Sequence, residues 1–137
     1  HILTQAPLED EERAELLFQR GMLYDSVGLS GLARYDFIQA LQLKPNMAEA
    51  HNSIGIHYIQ QMDFIMAYES FDSTLDINPD YDFAILNRGI ALYYGGRAEL
   101  ALSDLNRFYE KDIHDPYRVL WSFIVEQNVD REKALAN

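Results

Sequence analysis

The 137-residue sequence contains no cysteine. That excludes disulfides, thiolate metal sites and a cysteine nucleophile, and it fits either a reducing or an oxidising compartment. Basic side chains are scarce: 11 Lys and Arg stand against 22 Asp and Glu, for a net charge of -11. Phosphate recognition needs clustered cations, so this balance argues against nucleic acid. It argues equally against docking of the protein itself on an anionic membrane surface. Basic partners are favoured, although the commonest meaning of net charge is solubility. No apolar run approaches the roughly 20 residues that a membrane helix needs. Gly and Pro are few, 7 and 4. With 48% hydrophobic residues the chain has the material for a core and reads as one ordered domain.

Patterns that carry chemistry are missing too. There is no GxSxG, no HExxH and no Gly-rich phosphate loop after a strand. Paired carboxylates abound in so acidic a chain, so none is diagnostic. His51 and His57 are six apart on one expected helix and do not share a face as i, i+4 ligands would. Surface or packing histidines are the simpler reading. The run Asp76-Ile77-Asn78-Pro79-Asp80-Tyr81-Asp82 has the opening spacing of a calcium loop. However, Tyr81 stands where the loop needs Gly, and Asn87 where it needs a bidentate Glu. A turn between repeats followed by a helix cap explains the same residues. The sequence therefore predicts no enzyme, no cofactor and no metal.

What the chain does contain is a spacing of 34 residues. Gly21, Gly55 and Gly89 follow it, as do Ala33, Ala67 and Ala101. Tyr24 and Tyr58, Phe37 and Phe71, and Pro45 and Pro79 keep the same step. A helix-turn-helix unit of this length is the tetratricopeptide (TPR) pattern. The expected fold is an all-α, right-handed solenoid of helical hairpins. Its repeats are placed at about 14-47, 48-81 and 82-115, with a partial fourth at 116-137. The physical reading is close packing within each hairpin. Glycine in the first helix leaves room for the second helix's backbone, at about 1 kcal/mol of helix propensity. The alanine twelve residues on faces that gap, and Phe37, Phe71 and Leu105 supply apolar bulk. Pro45 and Pro79 end the second helices.

In chain order, residues 1 to 8 lack periodicity and are expected to fray. Acidic residues from Asp10 suit the first turn of a helix that runs to about Ser26. Gly28 and Gly31 bracket the next turn, and a second helix covers about 30 to 43. Asn46 with Glu49 has the form of a capping box. Asp63 is placed to cap the second helix of repeat two. Gly95-Gly96 offers a left-handed stop. In repeat three the proline is displaced: Ile113 holds its register and Pro116 comes three later. A further first helix is expected at about 116 to 127, with Asp130 capping another at 131 to 136. The chain starts at His1 without a visible signal peptide, so a processed or partial chain is expected. The interrupted last hairpin leads to the expectation that the natural protein continues.

First helices line the concave face in this repeat architecture. The projected lining is Phe18, Met22 and Asp25 in repeat one, and Asn52, Ile56 and Ile59 in repeat two. Repeat three adds Phe83, Leu86, Asn87, Ile90, Tyr93 and Tyr94. An apolar, aromatic surface with a few amides is what a peptide or helix groove requires. Some of these positions equally suit packing between repeats. Domains of this fold that grip a chaperone's C-terminal carboxylate do so with Lys and Arg on these helices. Here Phe18 and Leu86 are apolar, Glu15 and Glu49 are acidic, and Arg88 stands alone, so a carboxylate clamp is disfavoured.

Three stretches carry a closer likeness: Leu17-Phe18-Gln19-Arg20-Gly21-Met22-Leu23-Tyr24-Asp25-Ser26-Val27-Gly28-Leu29, then Ala67-Tyr68-Glu69-Ser70-Phe71-Asp72-Ser73, then Leu86-Asn87-Arg88-Gly89-Ile90-Ala91-Leu92-Tyr93-Tyr94-Gly95-Gly96-Arg97. The chain resembles the NlpI-type TPR lipoproteins of the Gram-negative outer membrane over most of residues 8 to 130. The third stretch is the most specific, because the general repeat does not demand Tyr93-Tyr94-Gly95-Gly96-Arg97. Repeat two departs at His57-Tyr58-Ile59-Gln60-Gln61-Met62. The resemblance implies a periplasmic adaptor that brings peptidoglycan hydrolases to the tail-specific protease Prc. It implies a lipid-anchored full-length protein at the periplasmic face of the outer membrane, and a possible homodimer. The lipidated cysteine is not in this sequence. The alternative is a generic TPR module assembling another complex, in the cytoplasm.

Overall fold

A computed structural model describes residues 9–136, the side chains of 128 and 132–136 excepted. The residues expected to fray, 1 to 8, lie outside that range. Among the described residues there are seven α-helices and no strand. They are α1 (Asp10–Ser26), α2 (Ser30–Leu43), α3 (Ala48–Gln60), α4 (Phe64–Ile77), α5 (Asp82–Tyr94), α6 (Ala98–Glu110) and α7 (Pro116–Ala136). α1 packs on α2, α3 on α4 and α5 on α6, and each hairpin packs on the next. This is the solenoid that the 34-residue spacing predicts.

The glycine argument holds with one correction. A Cβ at Gly21 would lie 2.7 Å from Phe37 Cε1, at Gly55 2.4 Å from Phe71 Cε1, and at Gly89 2.8 Å from Leu105 Cγ. The space is thus taken mainly by a large side chain of the second helix rather than by its backbone. At Gly21 the Ala33 carbonyl comes third, at 3.2 Å. Ala33, Ala67 and Ala101 are fully buried, as are Phe37, Phe71 and Leu105. Each hairpin is therefore keyed by one side chain seated over a missing Cβ.

Helix ends follow local chemistry in some places and packing in others. Asp63 caps α4, accepting a hydrogen bond from the Met66 amide at 3.2 Å. The capping box at Asn46 does not form. α3 starts one residue later, with Met47 at the cap position and no side-chain cap. Met47 is buried among Ala14, Ala40 and Ala50, and that apolar burial sets the start. Gly31 belongs to the first turn of α2, while Gly28 makes the turn with φ +82°. Gly96 makes the matching turn with φ +84°, and Gly95 keeps an ordinary negative φ.

The end of the chain differs from expectation. The start of its last helix is as expected, since Pro116 opens α7, where its missing N–H is harmless. Asp115 before it accepts from the Tyr117 amide at 2.9 Å, as a cap does. α7 then continues to Ala136 without the break expected near Asp130. No Gly or Pro lies between 117 and 136 to stop it. Its stripe of Ser122, Val125 and Val129 is buried, and α7 packs on α6.

Candidate protein-binding site

Side chains of successive first helices meet laterally, and these contacts join Met22, Asp25, Asn52, Asn87 and Tyr93 to neighbouring first helices; among the other projected residues, Phe83 meets the Phe108 ring of α6 at 6.4 Å. Ser53 Oγ on α3 lies 3.9 Å from Met22 Sδ on α1. Asn87 Nδ2 on α5 donates to Asn52 Oδ1 on α3 at 3.3 Å. His57 Nε2 on α3 lies 2.8 Å and 3.0 Å from the two Asp25 carboxylate oxygens on α1. The Tyr93 ring on α5 meets Trp121 on α7 edge-on at 6.4 Å. The first three spacings follow from the repeat: partners 31 to 35 apart in sequence face each other across adjacent first helices.

Within the row, exposure separates surface from joint. Met22, Ile56, Phe83 and Tyr94 are exposed, Phe83 at 61% and Tyr94 at 57%. Phe18, Asp25, Ile59, Asn87, Ile90 and Tyr93 are half-buried. Phe18 leans on the Phe37 ring at 5.6 Å, and Ile59 packs on the Ala67–Phe71–Ala91 cluster. Leu86, at 3% exposure, is core and lines no surface; it packs with Ile85, Leu105 and Phe108. Asn52 is buried as well, its Oδ1 accepting from Asn87. Asp25 serves the joint between α1 and α3 through His57, whose Nδ1 is buried with no partner among the described residues and whose ring lies 5.8 Å from Phe37. His57 is thus a packing histidine, one of the two readings open from the sequence. In the run that resembled a calcium loop, the Asp82 carboxylate pairs with Lys111 and Arg118.

Aromatic rings meet edge-on along this surface. Tyr93 and Tyr94 meet at 5.1 Å and 78°, and Trp121 meets Tyr117 at 6.5 Å and 81°. Such edge-to-face pairs each contribute about 0.5–1.5 kcal/mol beyond area burial. Tyr94 also stacks on Phe64 at 6.1 Å. Burial, with Glu49 nearby, pushes the Tyr81 hydroxyl above the usual tyrosine range at the foot of α5.

Two cations on these helices turn away from the row, a feature that the sequence reading missed. Arg20 forms a two-pronged pair with Asp36, at 2.8 and 2.9 Å. Arg88 does the same with Asp104, at 2.8 and 2.7 Å, and adds Asp72 at 2.9 Å. Hydrogen bonding to these carboxylates holds both guanidinium groups above the ordinary arginine range. The signal was present: Arg20 and Arg88 are two repeats apart, and so are Asp36 and Asp104. With these arginines engaged elsewhere, the projected lining presents no cation, and its one fixed charge is Asp25.

No family model matches the chain. Solved structures with the same fold do. The first TPR domain of Spaghetti (RPAP3), bound to the HSP90 peptide SRMEEVD, aligns with a TM-score of 0.82 at 18% identity, over 88% of this chain and 95% of that one. The fold is the tetratricopeptide helical-hairpin repeat. The N-terminal domain of STI-1 from C. elegans aligns with a TM-score of 0.73 at 16% identity, over 88% of this chain and 99% of that one. The second TPR domain of human RPAP3, in complex with the HSP70 peptide SGPTIEEVD, aligns at 0.74 and 14% identity, over 85% and 95%. At these identities the TPR fold is shared.

Proposed function

We propose that this TPR chain is a non-enzymatic scaffold that binds partner proteins along its row of first helices. The observation that carries the reading is the exposed apolar series Met22, Ile56, Phe83 and Tyr94, set beside engaged amides and free of cations. Two of its structural neighbours are bound to peptides with acidic ends. Such a ligand has no cation to meet in this lining, so the preferred segment here is apolar, and neutral or basic. The finer reading follows the resemblance in its three sequence stretches. In it, the chain belongs to a periplasmic adaptor that presents peptidoglycan hydrolases to a tail-specific protease. The full-length protein is then held at the outer membrane by a lipid and forms a homodimer. The test is direct binding of the purified chain to a purified tail-specific protease and to a murein endopeptidase, read by interferometry. Binding of either that falls at least tenfold in Phe83→Ala, with melting temperature unchanged, supports the adaptor reading. Absence of binding to both, with capture of cytoplasmic partners by the same face, leaves the scaffold and removes the adaptor.

A further inference from the structure

The stretch Tyr93-Tyr94-Gly95-Gly96-Arg97 does more than end α5. Its Gly95 and Arg97 line a groove of about 620 Å³ between α4 and α6, floored by Arg88, Ala91 and Leu92 of α5. With Gly95 just past the helix end, the floor residues fall at i, i+3, i+4 and i+7, a different stripe from the one bearing Asn87 and Ile90. The groove therefore opens on the second-helix side, and Tyr94, stacked on Phe64, is where the row comes nearest to it. Its walls expose apolar side chains. Ile65 on α4 is 76% exposed and Leu100 on α6 53% exposed, with Tyr68 and Phe64 beside them. Gly95 permits the close approach: a Cβ there would sit 3.4 Å from Phe64 Cβ and 2.9 Å from the Ala91 carbonyl.

The same place one repeat earlier is bridged. There Arg34 lies over the Tyr58 ring at 4.7 Å and donates to Gln61 Oε1 at 3.1 Å. In the later groove Tyr68 holds the register of Arg34 and Gly95 that of Gln61, so the bridge cannot form. Ser30 and Gly31 likewise give way to Phe64 and Ile65. The chain thus leaves open, and lines with large apolar groups, a gap that it bridges elsewhere.

The charges select the occupant. Arg88 and Asp104 satisfy each other on the floor. Arg97 at the start of α6 and Glu69 on α4 line the groove with no side-chain partner among the described residues. We infer that this groove is a second docking site, taking a partner's apolar segment that carries an acidic side chain toward Arg97 and a basic one toward Glu69. Opposite charges on the two walls fix the direction in which such a segment lies, while Ile65, Tyr68 and Leu100 supply the apolar contact.

The test uses a phage-displayed library of random twelve-residue peptides, selected on the full chain and measured by fluorescence anisotropy. Enriched peptides are expected to hold apolar residues between an acid and a base. Their affinity should fall at least tenfold on Ile65→Glu and on Leu100→Glu, while Phe83→Ala leaves it unchanged. Arg97→Glu should weaken them similarly, and a peptide whose acid is replaced by lysine should recover affinity on that variant. The substituted positions are exposed, so unchanged melting temperatures keep each comparison valid. Failure to enrich peptides, enrichment of peptides indifferent to these three variants, or sensitivity to Phe83→Ala alone would overturn the inference. Only the last of these touches the first-helix face, so the two sites fail separately.

Discussion

Position 62 holds a methionine where repeats one and three hold a glycine. Gly28, Met62 and Gly96 are 34 apart, and all three adopt positive φ, +82°, +60° and +84°. A side chain in this region meets its own carbonyl, at roughly 1–2 kcal/mol per residue. Met62 is among the most exposed apolar residues, so no packing offsets that strain. Met62→Gly is therefore expected to raise stability by about 0.5–1 kcal/mol, the gain being trimmed by glycine's freedom in the unfolded chain. A urea titration of the two proteins checks it; an unchanged or lower midpoint would show that the turn bears no strain. The step of 34 made this position legible in the sequence. The keyed glycines were legible too, but which atoms filled their space was not. A ring four residues beyond the alanine reaches the gap only once the helices cross, and no spacing rule gives that reach.

Between elements, the arginine pairs show one register solved in two ways. Arg88 ties Asp104 of its own hairpin and Asp72 of the preceding one. One repeat earlier the same three positions are Ile54, Ser70 and Ile38. The joint tolerates an apolar solution as well as an ionic one, which is common for buried pairs. Arg88→Ile alone should destabilise by about 2 kcal/mol, because it strands the buried Asp104 carboxylate. Adding Asp72→Ile and Asp104→Ser, which copies repeat two, should recover all but about 1 kcal/mol. Thermal denaturation of the single and triple variants decides this. Equal losses in both would mean that the two joints differ in backbone as well as side chains. Helix limits within these elements were legible where caps and glycines rule, as at Ser26, Asp63 and Gly96. They were misread where burial rules, as at Met47, and where no breaker exists, as along α7.

For the whole molecule, charge and edge exposure matter most. With a net charge of -11 the folded chain repels itself, and salt screens that repulsion. Raising sodium chloride from about 0.02 to 0.5 M is expected to lift the melting temperature by roughly 2–5 °C, the scale of about 1 kcal/mol. A fall instead would mean that the ion pairs at Arg20, Arg88 and Lys111 outweigh the net charge. None of the described helices is long and apolar enough to cross a membrane. Leu16 and Leu23 are 57% and 68% exposed on α1, yet their counterparts Ala50, Ala84, His57 and Ala91 are buried. Register is the same and surroundings differ, because among the described residues the α1–α2 hairpin packs on one neighbouring hairpin and the later ones on two elements or more. That contrast marks the division between sequence and structure in this protein. The sequence by itself determined the repeat length and the hairpins, because each depends on periodic positions a few residues or one repeat apart. Tertiary structure alone decided that Leu86 and Asn52 are joints, that Arg20 and Arg88 face inward, and that a groove opens between α4 and α6. Those outcomes depend on how neighbouring hairpins cross, and on which side chain reaches the gap first.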